Sequence, residues 1–242
     1  PRAVARRAGR ERGRARDLLG PARAPDAQRA RRHDESHERA EVVNDVSSLN
    51  PINVGDVRRF ASTDDIRAAL RASQRAVSIG GGRYSMGGQV AAPDSLHLDM
   101  RAMKQVVSFE APGRRIRVQA GMTWRDLQDV IDPHDLSAKV MQSYANFTIG
   151  GSVSVNCHGR YVGHGALVNS VTALQLVTAQ GDVLELSRTH EAELFGAACG
   201  GYGGLGVITE VELELEPNTR IERVVRNIVL DQYPAYFQRE VA

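Results

Sequence analysis

Hydrophobic positions along the chain recur with two periods. DIRAALRAS places Ile66, Ala69 and Leu70 on one helical face, and Ser62-Thr63-Asp64-Asp65 offers the N-cap. TWRDLQDVI repeats the pattern over 123–131, with Trp124, Leu127 and Ile131 inward. Its Thr-x-x-Asp start resembles a capping box with Asp in place of Glu. THEAELFGAAC predicts a third, short helix. Elsewhere the period is two. Thr209, Val211, Leu213 and Leu215 alternate with Glu210, Glu212, Glu214 and Glu216, which predicts a long half-buried strand. Shorter strands are predicted over 54–60, 77–79 and 95–100, the last alternating through Leu96 and Leu98. KQVVSFE and RRIRVQAG flank the turn Ala111-Pro112-Gly113, and SVTALQLVTAQGDVLELS is a hairpin pattern around Gln180-Gly181-Asp182. Many strands and few helices in mixed order predict an α+β fold rather than a regular doubly wound sheet.

Composition bounds this picture. The 242 residues are 42% hydrophobic, enough for one large core or two modest ones. No apolar run is long enough to cross a bilayer. The two cysteines, Cys157 and Cys199, are too few for a disulfide framework, and a cytoplasmic location is expected. The net charge of +2 hides an asymmetry: residues 1–40 carry 12 Arg and 6 acidic residues, leaving 19 basic and 23 acidic residues beyond them. The basic head has no apolar h-region of a secretory signal. It reads as a disordered Arg/Ala-rich leader over 1–42. The alternative is a basic arm on a non-catalytic nucleotide- or nucleic-acid-binding module.

The candidate chemistry lies in glycine-rich segments. SIGGGRYSMGGQ, residues 78–89, holds five glycines in twelve residues directly after a predicted strand. A Walker loop requires Lys and Ser/Thr where Gly88 and Gln89 stand, so it is excluded. A Rossmann turn must open a helix, and MGGQVAAP cannot form a good one. The literal Gly-x-Gly-x-x-Gly at 201–206 lies between a predicted helix and a predicted strand, the wrong context. Consecutive main-chain N–H groups of the first loop can still form an anion nest, with Arg83 as cation and Ser85 as hydroxyl. The competing reading is a tight surface turn. In TIGGSVSVNCHGRYVGHG, residues 148–165, Ser152, Ser154 and Asn156 alternate with Val153 and Val155, predicting an extended stretch with one polar face. Cys157, His158 and His164 lack metal-ligand spacing, and no metal is expected. Buried, inert thiols are the expectation for Cys157 and Cys199.

Taken together, NDVSSLNP, SIGGGRYSMGG, VQAGMTWRDL, TIGGSVSVNCHGR and ELFGAACGGYGGLGVITEVELEL resemble the FAD-binding domain of the vanillyl-alcohol oxidase and p-cresol methylhydroxylase type over residues 43–217. NCHGR is most similar to bacterial sugar-directed members, the decaprenylphosphoryl-ribose, aldonolactone and alditol oxidases. The resemblance implies a two-subdomain FAD-binding domain followed, over 218–242, by the truncated start of a substrate (cap) domain. It implies that Gly80, Gly81, Gly82, Arg83, Tyr84, Ser85 and Gly88 cradle the FAD pyrophosphate. It implies that Ser143, Thr148, Ile149, Gly150 and Gly151 line the ribityl and phosphate path. Val155, Asn156, Cys157 and His158 would lie along the flavin, and Val207 and Ile208 at the adenine end. Many members carry a flavin-linked His in the first loop. Arg83-Tyr84-Ser85 contains none, which implies non-covalent FAD. The implied activity is hydride transfer from a sugar, polyol or lactone-like hydroxyl carbon to the flavin. Any catalytic base is expected beyond Ala242, and this chain alone is expected to be nearly inactive.

Overall fold

A computed structural model describes residues 41–241, so the expectation for the leader lies almost wholly outside the described residues. Glu41 and Val42, counted with that leader, stand in the first strand. Strands β1 (Glu41–Val43) and β2 (Ile52–Val54) pair antiparallel. β3 (Asp56–Arg59) follows after Gly55, so the single strand expected over 54–60 is interrupted there. Helix α1 (Thr63–Ala72) is capped by Ser62, whose hydroxyl accepts from the Asp65 amide at 3.2 Å, and it buries Ile66, Ala69 and Leu70. β4 (Val77–Gly80) and β5 (Leu96–Asp99) complete a parallel three-stranded sheet of order β3-β5-β4. Leu96 and Leu98 do alternate, but the central strand β5 is buried along its whole length, His97 and Asp99 included.

The second layer is antiparallel. β6 (Val106–Glu110) and β7 (Arg115–Gln119) form the expected hairpin, and α2 (Trp124–Ile131) follows. Both bonds of its capping box are present. The Thr123 hydroxyl accepts from the Asp126 amide at 3.1 Å, and the Asp126 carboxylate accepts from the Thr123 amide at 3.3 Å. The indole N–H of buried Trp124 donates to Ser152 Oγ at 2.9 Å. β8 (Leu136–Ala138) and the six-residue helix α3 (Ile149–Ser154) come next. Helix α3 corrects the extended stretch expected from the Ser/Val alternation. The Ser152 amide donates to the Thr148 carbonyl at 2.9 Å, and Ile149, Gly150, Ser152 and Val153 are buried. β9 (Val171–Val177) and β10 (Val183–Ser187) form the second hairpin, followed by α4 (Ala192–Ala198) and the long β11 (Val207–Pro217). The sheet runs β10-β9-β11-β7-β6, and β8 adds to the far end of β11. Along β11 the apolar positions are buried, while Glu210, Glu212, Glu214 and Glu216 face outward. Residues 218–229 form no strand, and α5 (Tyr233–Glu240) closes the described chain.

Two main cores result. One packs α1 on the parallel sheet through Ile66, Leu70, Leu96 and Leu98, and takes in Val177 and Val207 from the antiparallel sheet. The larger gathers Trp124, Leu127, Ile149, Leu174 and Val211 between that sheet and helices α2, α3 and α4. Residues 145–149 run between α2 and the sheet: Trp124 N donates to Phe147 O at 3.1 Å and Gly150 N to Ala120 O at 2.8 Å. Replacing Thr123 by Ala removes the cap and leaves this backbone pairing in place. The variant should lose about 1 kcal/mol of stability in urea denaturation. A change indistinguishable from zero would show that the box carries no weight here.

Candidate cofactor site

The parallel sheet delivers the glycine loop. β4 ends at Gly80, and residues 80–85 leave it to line an open cleft of about 150 Å3. The opposite wall is Phe147, Thr148, Gly151, Ser152, Ser154 and Val155. A second hollow of about 80 Å3 shares Ile79, Gly81, Thr148, Gly151, Ser154 and Tyr202 with the first, and extends to Gly150, Gly203, Gly206 and Ile208. The two make one elongated groove with glycine, hydroxyl and apolar surfaces.

The loop has almost no space behind it. A Cβ on Gly80 would stand 2.5 Å from His97 Nε2, and one on Gly81 would overlap the Thr148 hydroxyl. This part of the loop is glycine because bare main chain packs on buried side chains. His97 is fully buried, with Nδ1 2.9 Å from Ser78 Oγ. Ser78 Oγ in turn lies 2.7 Å from Ser95 Oγ, which donates to the Ala92 carbonyl. Burial, reinforced by the Arg83 charge, pushes the His97 pKa down to about 4, so the imidazole is neutral.

Arg83 is the charge of the site. It adopts a left-handed backbone conformation at φ 62°, and its carbonyl accepts from the Val46 amide at 3.0 Å. The nearest acid is taken: Asp99 receives Arg101 at 2.8 and 2.6 Å and Arg59 at 3.3 Å. Burial works against the Asp99 charge, but the Arg101 hydrogen bonds outweigh it and hold the carboxyl down at about 2. Arg83 makes no ion pair among the described residues, and its Nε is buried without a hydrogen-bond partner. Burial and then the Arg101 charge lower its pKa. A half-buried cation that faces a cleft beside other cations and has no acid of its own suits an anionic ligand.

Of the residues named from sequence, Gly80, Gly81, Gly82, Arg83, Tyr84 and Ser85 line the cleft, as do Thr148, Gly150, Gly151, Val155 and Ile208. Others stand off it. Gly88 lies beside Asn50 and Ile52, Ser143 is exposed, and Ile149 and Val207 are core residues. Asn156 accepts from the Val168 amide at 3.0 Å, Cys157 is buried, and His158 is exposed with Nδ1 against the Gly159 carbonyl. The thiols of Cys157 and Cys199 are both raised to about 11 by burial. No cluster of metal-ligating side chains occurs among the described residues. The sequence reading missed Phe147, Gln142, Tyr202, Gly203 and Gly206. The last three belong to a segment whose pattern pointed to the wrong fold. Tyr202 N donates to Ser154 O and Gly200 N to Val153 O, both at 3.0 Å, which brings the third glycine segment onto α3. Only a long-range pairing signal would have revealed that.

The FAD binding domain family matches residues 57–187, more than half of the chain. The chain belongs to this family. Its FAD-binding domain is of the p-cresol methylhydroxylase type, as the glycine segments implied, and its relatives are FAD-linked oxidoreductases. L-gulonolactone oxidase of Mus musculus is 32% identical over 69% of this chain and 36% of its own length. Cytokinin dehydrogenase 9 of Oryza sativa is 28% identical over 82% of this chain and 40% of its own. Alditol oxidase of a Streptomyces species is 29% identical over 67% of this chain and 39% of its own. The chain thus spans about two fifths of these relatives.

The residues fit FAD. Six consecutive loop residues line the first of two hollows that share a wall, and among them lies a buried guanidinium nitrogen without a partner in the protein, suited to an anion. Beneath the glycine loop, His97 sets a pH dependence. The folded chain keeps the imidazole neutral down to about pH 4, whereas the unfolded chain protonates near 6.5. Stability is therefore full above pH 6.5 and falls as pH drops from 6.5 towards 4, by roughly 3 kcal/mol in total from this group. In urea denaturation at pH 7 and pH 4.5, His97→Asn should show a clearly smaller loss between the two than the parent. An unchanged loss would contradict a neutral buried His97.

Proposed function

We propose that the groove binds FAD non-covalently, with the diphosphate against Gly80, Gly81, Gly82, Arg83, Tyr84 and Ser85. The observation that carries the reading is the buried, unpaired Arg83 set within consecutive main-chain amides. Amides of a glycine loop supply partial positive charge at fixed positions, and Arg83 adds a full charge whose desolvation the fold has already met. Thr148 and Ser154 offer hydroxyls along the groove, while Val155, Gly150 and Ile208 offer the apolar face that a flat ring requires. Arg83 and Tyr84 occupy the loop positions where many family members carry their flavin-linked histidine, which supports the non-covalent reading.

When bound, FAD supplies a two-electron acceptor for a hydride from a hydroxyl-bearing carbon. We assign a sugar, polyol or lactone-like substrate on the NCHGR resemblance. The identities alone do not separate the substrate classes, since the lactone oxidase, the alditol oxidase and the cytokinin dehydrogenase lie within a few per cent of one another. Residues 218–242 would begin a substrate-covering domain. Ile221, Val224, Val225 and Leu230 are all more than 60% exposed, which supports a further surface packing against them. A base on that further domain would take the hydroxyl proton.

Titrating the chain with FAD should perturb the flavin absorption bands and raise the melting temperature. Arg83→Gln should weaken binding about tenfold, or about 1.4 kcal/mol. Acid precipitation of the complex should leave the yellow colour in the supernatant. Colour retained in the washed pellet would overturn the non-covalent assignment. A chain that takes up no FAD, but binds DNA or RNA with a salt sensitivity lost on deleting residues 1–40, would instead establish the nucleic-acid-binding alternative.

A further inference from the structure

The two walls of the cleft are joined by aromatic rings. No backbone–backbone hydrogen bond links residues 80–85 to residues 142–148 among the described residues, and the polar contact between them is that of the Tyr84 hydroxyl with Tyr144 and Asn146. Tyr84 crosses between them instead. Its ring folds back over the bare main chain at Gly82, where a Cβ would stand 2.9 Å from Tyr84 Cδ2 and 3.0 Å from Cε2. On the far side it meets Phe147 edge to face with ring centroids 4.6 Å apart, and Tyr144 at 5.4 Å. Tyr144 and Phe147 are themselves 5.5 Å apart, again edge to face. All three pairs have interplanar angles of 71° and centroid spacings inside the favoured range.

The far side of this cluster is anchored and the near side is not. Asn146 donates to the Tyr144 hydroxyl at 3.1 Å and accepts from Arg125 Nε at 3.3 Å, which ties it to α2. Arg125 N also donates to the Ala145 carbonyl at 2.8 Å. Tyr84, by contrast, sits on a loop with one backbone bond to another segment, Arg83 O to Val46 N. Tyr84 and Phe147 both line the cleft, whereas Tyr144 is half exposed at its rim. The junction is therefore made by side chains alone, edge-on rings together with the Tyr84 hydroxyl, with one partner on a rigid support. Such a contact can part and re-form without breaking a backbone hydrogen bond.

We propose that Tyr84, Tyr144 and Phe147 form a clasp that holds the cleft shut over a bound FAD, with Tyr84 as its positioning residue. This rests on the FAD reading given above. Opening the clasp frees the ligand, so the effect falls on release. The ring carries it: the Tyr84 hydroxyl has Tyr144 and Asn146 as partners, and both lie within the clasp itself.

The test is FAD release from the 242-residue protein after dilution, followed by recovery of free-flavin fluorescence. Tyr84→Ala should release FAD about tenfold faster than the parent. Tyr84→Phe should restore release to within about twofold. Phe147→Ala should match Tyr84→Ala, and the double variant should be no faster than either single one, because both substitutions open the same junction. Circular dichroism and melting of the FAD-free proteins identify any variant that fails to fold, and Tyr84→Phe carries the test independently of the alanine variants. Parental release from a folded Tyr84→Ala would overturn the clasp and leave FAD binding intact. Release from Tyr84→Phe as fast as from Tyr84→Ala would place the effect on the hydroxyl and overturn the ring clasp. Additive acceleration in the double variant would also overturn it. A parent chain that takes up no FAD would overturn the cofactor reading and the clasp together.

Discussion

The site depends on one close approach: main chain without side chains, at Gly80 and Gly81, laid directly on His97 and Thr148. Everything around the cleft is arranged to permit it. The parallel pairing of β4 with β5 brings Gly80 opposite Asp99, two residues beyond His97. The Ser78–His97 and Ser78–Ser95 contacts fill the space beneath, and burial there, with the Arg83 charge above, keeps the imidazole neutral. The pairing of residues 120–124 with residues 147–150 brings Thr148 up from the other layer. A methyl group at either glycine would separate the two layers where they meet.

That contact also explains why charge is handled unevenly. Asp99 is shared by Arg101 and Arg59 at the end of the parallel sheet. Arg83 is held next to them in a left-handed conformation without sharing the acid. In a protein with no anionic ligand this would be a cost without return, since a desolvated cation gains nothing from neighbouring cations. On the proposed placement of the diphosphate against Arg83, the same cost is met once, during folding, and is offset by the bound anion. The neutral state of His97 follows from the same field, because a second positive charge below the loop would compete with Arg83 for no available anion.

Much of the fold was legible because it is local. The faces of α1 and α2, their caps, both hairpins and the alternation of β11 follow from period and turn chemistry, and those elements form the layers. The glycine loop was legible as a binding element because five glycines in twelve residues exceed what a turn requires. Helix α3 was not: its Gly, Ser and Val are poor helix formers, and it persists because Gly150 and Ile149 donate to Ala120 and Met122 of the neighbouring layer. The third glycine segment was set aside because its order of helix and strand excludes a Rossmann turn, which is correct. It reaches the groove through two long-range bonds to α3 that leave no trace in its own sequence. Phe147 was missed for a similar reason, since it becomes part of the site only where Tyr84 crosses to meet it.

The account makes the bare backbone and lone cation of residues 80–85 the grip on a diphosphate. A crystal structure of the chain soaked or co-crystallised with FAD tests this most directly. The account predicts both phosphorus atoms within hydrogen-bonding reach of the main-chain amides of this loop, with the Arg83 guanidinium against their oxygens. Ordered FAD with its diphosphate elsewhere, and Arg83 still without an anion, would contradict it.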